Sequence, residues 1–244
     1  MKLLVNLKLS ESDKTDLSKI PVKDTVTKKR QREEALKSVL TSGKPVINSS
    51  EILDLAAPED SYDFFISHSH KDVEPVSSIA SFMRKKGFKV FVDSEYWLYF
   101  DEIADELNKN HLHTEKGMNC YDHAKTIEVQ KHCDVMLTAS LLRVMSKSTI
   151  LLFVNTPSSI VGMDAVSRYG AKGSTYSPWI YYEILAANAL FEPVKFSPIL
   201  EHYTRDSIPQ IQYDNLDMNN MVNVSWNSFK SEDWASVLKK VKGN

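Results

Sequence analysis

Tyr62-Asp63-Phe64-Phe65-Ile66-Ser67 and Gly87-Phe88-Lys89-Val90-Phe91-Val92-Asp93 are the two stretches on which the fold of this chain turns. The first is an apolar run closed by a small polar residue, the pattern of a strand buried on both faces. Between them Val76, Ile79, Ala80, Phe82 and Met83 recur at helical spacing over residues 76–86, and Gly87 stops that helix. A strand, a helix of about three turns and a second strand form a βαβ unit, whose two strands must run parallel.

Working outward, residues 149–154 read as a third strand, closed by Asn155-Thr156-Pro157. Helices are predicted over residues 126–144 and 178–190, and a last one over 231–241 with Trp234, Val237, Leu238 and Val241 as its buried stripe. Phe196-Ser197-Pro198-Ile199-Leu200 is a candidate fourth strand that Pro198 confines to an edge. Upstream, Leu3, Val5, Leu7 and Leu9 alternate with Lys2, Asn6 and Lys8, which predicts a short strand with one wet face. Residues 10–27 read as a polar linker, and 28–40 as a helix with a solvated basic face. The alternation of β and α implies an α/β protein with a doubly wound parallel sheet. Residues 1–60 are expected to be an N-terminal extension and residues 61–244 the main domain.

Composition excludes several classes. The 244 residues are 42% hydrophobic and 25% charged, enough apolar material for a core. A formal charge of −2 gives no general attraction to nucleic acid or to anionic membranes, and neither is an expected partner. Only seven glycines occur, and none falls in a dinucleotide-binding or P-loop pattern. Two cysteines exclude a disulfide framework, and no run has the length of a signal peptide core or a membrane span, so a cytoplasmic location is expected.

Residues 94–125 and 156–177 exceed ordinary connection lengths. Both follow the carboxyl ends of predicted strands, where open α/β sheets bind ligands. In the helix that begins at Pro178, Trp179 and Glu183 are four apart and share a face. A carboxylate beside an indole suits an electron-poor sugar, holding its hydroxyls and opposing positive charge at the anomeric carbon. The same spacing also describes a core tryptophan and a solvated glutamate, and spacing alone leaves both open. His111, His113, Cys120 and His123 follow no familiar zinc spacing, so no metal is expected. Asp93, at the end of the second strand, either forms a turn or contacts a ribose.

Three blocks in order carry a resemblance: Tyr62 through Asp72 (YDFFISHSHKD), Gly87 through Asp93 (GFKVFVD), and Ser177-Pro178-Trp179-Ile180-Tyr181-Tyr182-Glu183. Together they resemble a TIR (Toll/interleukin-1 receptor) domain of the prokaryotic immune type, over about residues 61–200. The resemblance implies a flavodoxin-like three-layer sandwich with a parallel sheet, the third block corresponding to the family's W-x-x-x-E segment. It further implies cleavage of the nicotinamide–ribose bond of NAD, giving nicotinamide and ADP-ribose or a cyclic or conjugated form, in antiphage defence. Glu183 would be the essential acid. Ser67, His68 and Ser69 would line the nicotinamide-ribose pocket, with Asp93 and Trp179 as further substrate contacts. NAD would be substrate and no cofactor is implied. Self-association through TIR–TIR contacts and a separate effector responding to the product are the implied partnerships. The BB-loop region departs from the family, being enlarged into an insertion at about residues 94–125 that begins with the aromatic cluster Tyr96, Trp97, Tyr99 and Phe100.

Rival readings differ at identifiable residues. A phosphoacceptor receiver domain needs acidic residues where this chain has Ser67-His68 and Asn155-Thr156. A nucleoside deoxyribosyltransferase also sets a glutamate against a sugar, but lacks the three-block pattern. A catalytically silent TIR scaffold, recruiting partners through residues 94–125, is the alternative from another functional class.

Overall fold

The strand Tyr62–Ser67 (β2) lies next to the centre of a five-stranded, all-parallel sheet. A computed structural model describes residues 3–22, 34, 35, 38, 39, 48–56, 61–95, 123–160, 172–175, 177–191 and 213–242. The expected strand at 196–200 and the aromatic cluster at 96–100 lie outside the described residues, as do most of the helix at 28–40 and of the insertion at 94–125. The other sheet strands are Leu3–Lys8 (β1), Val90–Val92 (β3), Ser148–Asn155 (β4) and Val222–Ser225 (β7), in the order β3-β2-β4-β1-β7. Lys172–Thr175 (β5) and Tyr213–Asp217 (β6) form a separate antiparallel pair. The chain thus has the expected α/β, flavodoxin-like three-layer fold.

Its N-terminal strand has an unexpected place. In the flavodoxin-like order 2-1-3-4-5, β3, β2 and β4 fill the first three positions. The fourth is taken by β1, which pairs in parallel with β4 on one side and β7 on the other. The expected N-terminal extension therefore contributes an interior strand, and the boundary drawn at residue 60 does not separate it from the sheet. Nor is one face of β1 wet, since Leu4 and Asn6 are as buried as Val5 and Leu7. Helices cover both faces of a central parallel strand, so Asn6 is enclosed, and only Lys8 at the end of β1 is exposed.

Two compact units share the chain. The first comprises residues 1–21, 62–91 and 148–244. Here Ser10 opens a helix, Glu11–Leu17 (α1), within the stretch expected as linker. The Ser10 hydroxyl accepts from the Asp13 N–H, and the Asp13 carboxylate accepts from the Ser10 N–H, a reciprocal cap that satisfies two otherwise orphaned donors. Leu17 then anchors the helix by complete burial.

Val73–Lys85 (α3) buries Val76, Ile79, Ala80 and Met83, as its spacing predicts. Gly87, at φ +91°, ends it: the Gly87 N–H donates to the Arg84 carbonyl and the Phe88 N–H to the Met83 carbonyl. Those two bonds define a Schellman stop, which needs a left-handed residue and so favours glycine.

Pro178–Phe191 (α5) follows β5. The expected C-terminal helix is present as Trp234–Lys242 (α7), and a separate helix, Trp226–Ser231 (α6), precedes it. Extended backbone at Glu232 interrupts them, and Asp233 starts α7 anew by accepting from the Ser236 N–H and hydroxyl. Trp234 meets Phe64 edge-to-face at 5.5 Å and Phe229 at 4.8 Å, packing α7 on the Phe64 face of the sheet. Ser67, an odd number of residues from Phe64, points to the opposite face, where α5 lies.

The second unit comprises residues 22–61 and 92–147. In it Ser49–Ala56 (α2) packs on His123–Lys147 (α4), with Arg143 and Asp54 bridged at 2.8 Å. Cys133, Leu137, Leu141 and Val144 are buried along α4. Among the described residues no helix is long and apolar enough to cross a membrane.

Candidate active site

Ser67 is the last residue of β2, and Glu183 lies in the second turn of α5. The Ser67 hydroxyl donates to Glu183 Oε2 across 116 residues of sequence. Both are enclosed, Ser67 at 0% and Glu183 at 2% exposure, so the carboxyl group is neither a solvated helix residue nor isolated. A buried carboxyl is tolerated only where it has such partners.

The location follows from topology. After β2 the chain moves outward to β3, whereas after β4 it proceeds by way of α5 toward β7 on the other side. Between β2 and β4 the connections therefore diverge, which puts Ser67 at the topological switch point, where open α/β sheets bind ligands. Ser67 pairs in register with Phe153, two residues before the end of β4.

A second set of hydrogen bonds fixes the rim. Asp72, 1% exposed, accepts from the Thr156 hydroxyl, joining the loop after β2 to the loop after β4. Lys14 of α1 stands 3.5 Å from the same carboxylate and 3.0 Å from Glu11. Burial opposes the charge on Lys14, but its hydrogen bond to Glu11 and the attraction of Asp72 and Glu11 outweigh that, so its pKa is raised above the ordinary 10.5. From Thr156 the bonds continue: its N–H donates to the Ser159 hydroxyl, and the Ser159 carbonyl accepts from the Thr175 hydroxyl. The Thr175 hydroxyl accepts from the Ser177 N–H, and the Ser177 hydroxyl accepts from the Ile180 N–H. That last bond makes Ser177 the N-cap of the helix carrying Trp179 and Glu183.

The predicted site residues therefore separate. Ser67 and Glu183 meet. His68 follows at once and is buried, at 4% exposure. The Ser69 hydroxyl accepts from the Lys71 N–H at 3.4 Å, capping the turn His70–Asp72. Trp179 is half-buried one helical turn before Glu183. Asp93 belongs to the second unit, where its carboxylate accepts from the Ser94 N–H at 2.6 Å, a turn-forming contact. His111, His113 and Cys120 lie outside the described residues, and among those described no group of three or more His, Cys, Asp or Glu could hold a metal ion.

Sequence reading did not single out Asp72, Thr156 or Lys14. Asp72 only closes the first motif block and Thr156 follows the third predicted strand, positions that carry no functional signal of their own. Lys14 lies in a polar stretch that reads as linker, and the Ser10–Asp13 capping spacing is the one helix signal there. No protein-family model matches the chain, and comparison with curated proteins and with solved structures finds no match.

Proposed function

We propose that this chain is a TIR-type enzyme that cleaves the nicotinamide–ribose bond of NAD in the cytoplasm, in antiphage defence. The observation that carries the reading is the buried Ser67–Glu183 pair at the carboxyl ends of the parallel strands.

Nicotinamide in NAD already bears the positive charge, so its departure needs no general acid. The bond between the ribose anomeric carbon and the ring nitrogen breaks with its electron pair moving to that nitrogen, leaving an oxocarbenium-like sugar. Glu183 opposes that charge and holds a ribose hydroxyl, while Ser67 orients the carboxylate. Attack by water, with loss of a proton, gives ADP-ribose. Attack by another atom of the same molecule gives a cyclic product. Self-association and a product-responsive effector belong to the same reading.

The test is purified protein with NAD, its products separated by chromatography and identified by mass. Glu183→Gln is expected to keep the fold and lose about 10²-fold or more in rate, as enzymes do when one electrostatic stabiliser is removed. Near-normal cleavage by that variant would overturn the assignment.

A buried carboxyl satisfied by a serine hydroxyl is also what a purely structural pair looks like, and the second reading is a catalytically silent scaffold. It expects no nicotinamide release at any protein concentration, whereas an enzyme activated by assembly releases more as concentration rises.

A further inference from the structure

We infer that Asn6 and Asn155 form a carboxamide-binding subsite beside the Ser67–Glu183 pair. The geometry is independent of the proposed activity; identifying the ligand as the carboxamide of a nicotinamide ring rests on that reading. Asn6 Oδ1 and Asn155 Nδ2 are buried atoms with no hydrogen-bond partner among the described residues, and each residue is only 4% exposed. Native interiors rarely leave such atoms unmatched, because each costs the hydration it has lost.

The two atoms share the sheet face that carries Ser67. Ser67 and Asn6 both pair with Phe153, from opposite sides, and residues in register point the same way. Asn155 lies two residues beyond Phe153 on the same strand, hence on the same face. With strands about 4.8 Å apart and a rise of about 3.3 Å per residue, the Asn155 backbone is about 8 Å from those of both Asn6 and Ser67. Asn6 cannot turn freely: its Nδ2 donates to Asn223 Oδ1 on β7 at 2.8 Å. With its amino group held toward β7, the Asn6 carbonyl occupies the other branch of the planar amide.

The unmatched set is therefore one acceptor and one donor, both neutral. A carboxylate would meet only one of them favourably, and an ammonium group likewise. A carboxamide supplies an N–H for Asn6 Oδ1 and a carbonyl for Asn155 Nδ2 on neighbouring atoms. The position also fits the proposed chemistry, since the leaving base must lie within one ring of the carboxylate that opposes charge on the sugar.

The experiment uses the full chain and two free pyridines, nicotinamide and 3-acetylpyridine, with binding read by saturation-transfer NMR titration. 3-Acetylpyridine keeps the carbonyl and replaces the amino group by methyl. The wild type is expected to bind nicotinamide about tenfold more tightly, the effect of leaving one buried acceptor unpaired. Asn6→Leu, close in volume, should bring that ratio near one. Equal binding of the two pyridines by the wild type, or an unchanged ratio in Asn6→Leu, overturns the inference. NAD consumption measured alongside separates the two readings. If NAD is cleaved but nicotinamide is not favoured, ordered water serves the two asparagines, and the subsite falls while the enzyme stands. If nicotinamide is favoured but NAD is not cleaved, the subsite stands and the enzyme falls.

Discussion

The Ser67 hydroxyl donates to Glu183 Oε2 and so holds one oxygen of a carboxyl that is only 2% exposed. Ser67→Ala removes the donor without leaving room for much else, because the position is fully enclosed. Losing one partner of a buried polar pair costs about 1–3 kcal/mol. That destabilisation should appear in urea unfolding of the variant, and the proposed activity further expects a fall in NAD cleavage. Unchanged stability would mean that the bond is not formed in solution. The pair also shows what a motif can reveal at this scale. The W-x-x-x-E spacing indicated which glutamate to watch, but could not distinguish a solvated side chain from a buried one. That distinction depends on Ser67, which is 116 residues away in sequence and reaches Glu183 only through the sheet. His68 follows Ser67 directly and Trp179 lies one helical turn before Glu183, whereas Ser69 and Asp93 make local hydrogen bonds within backbone turns.

Elements were legible where periodicity and stop signals agreed. The α3 helix has four buried apolar positions and a glycine held in a Schellman stop, and α5 has its serine cap and first-turn proline. Legibility failed where a few polar residues imposed structure on a polar stretch. The α1 helix exists through the Ser10–Asp13 cap, Leu17 and the reach of Lys14 to Asp72. That reach makes a prediction about pH. Because the folded-state pKa of Lys14 is raised, its contribution to stability is complete below the ordinary value of 10.5 and is lost as pH rises through the higher folded value. Wild type should therefore be more stable than Lys14→Met at pH about 8, with the difference closing as pH is raised beyond about 10.5. Urea midpoints of both proteins across that range test it. Comparing them removes the titration of all other lysines, and a difference that persists at the alkaline end would show that Lys14 acts through packing alone.

At the scale of the molecule, what the sequence could not disclose is the order of the strands. Alternating β and α segments announce a parallel sheet, but the partner of each strand is decided by long-range packing. Leu3–Lys8 has the alternating pattern of a strand with one wet face, yet its backbone fills the place between β4 and β7. The first unit of the chain is accordingly discontinuous, assembled from three stretches of sequence, and its core is incomplete until the first of them is in place. A protein that begins at residue 61, the boundary suggested by the motifs, would lack β1 and leave the edges of β4 and β7 that pair with it without a partner. Such an open edge invites association with other chains. That truncation should fail to unfold cooperatively in urea and should aggregate on size-exclusion chromatography. Within the full chain the same logic ranks two substitutions. Leu7→Ala, at a position with 0% exposure, should cost roughly 2–5 kcal/mol. Val222→Thr, at the exposed start of β7, should stay within about 0.5 kcal/mol. If the protein lacking residues 1–60 instead folds to a monomer with a sharp transition, β1 is dispensable and the interior place given to it in the sheet is wrong.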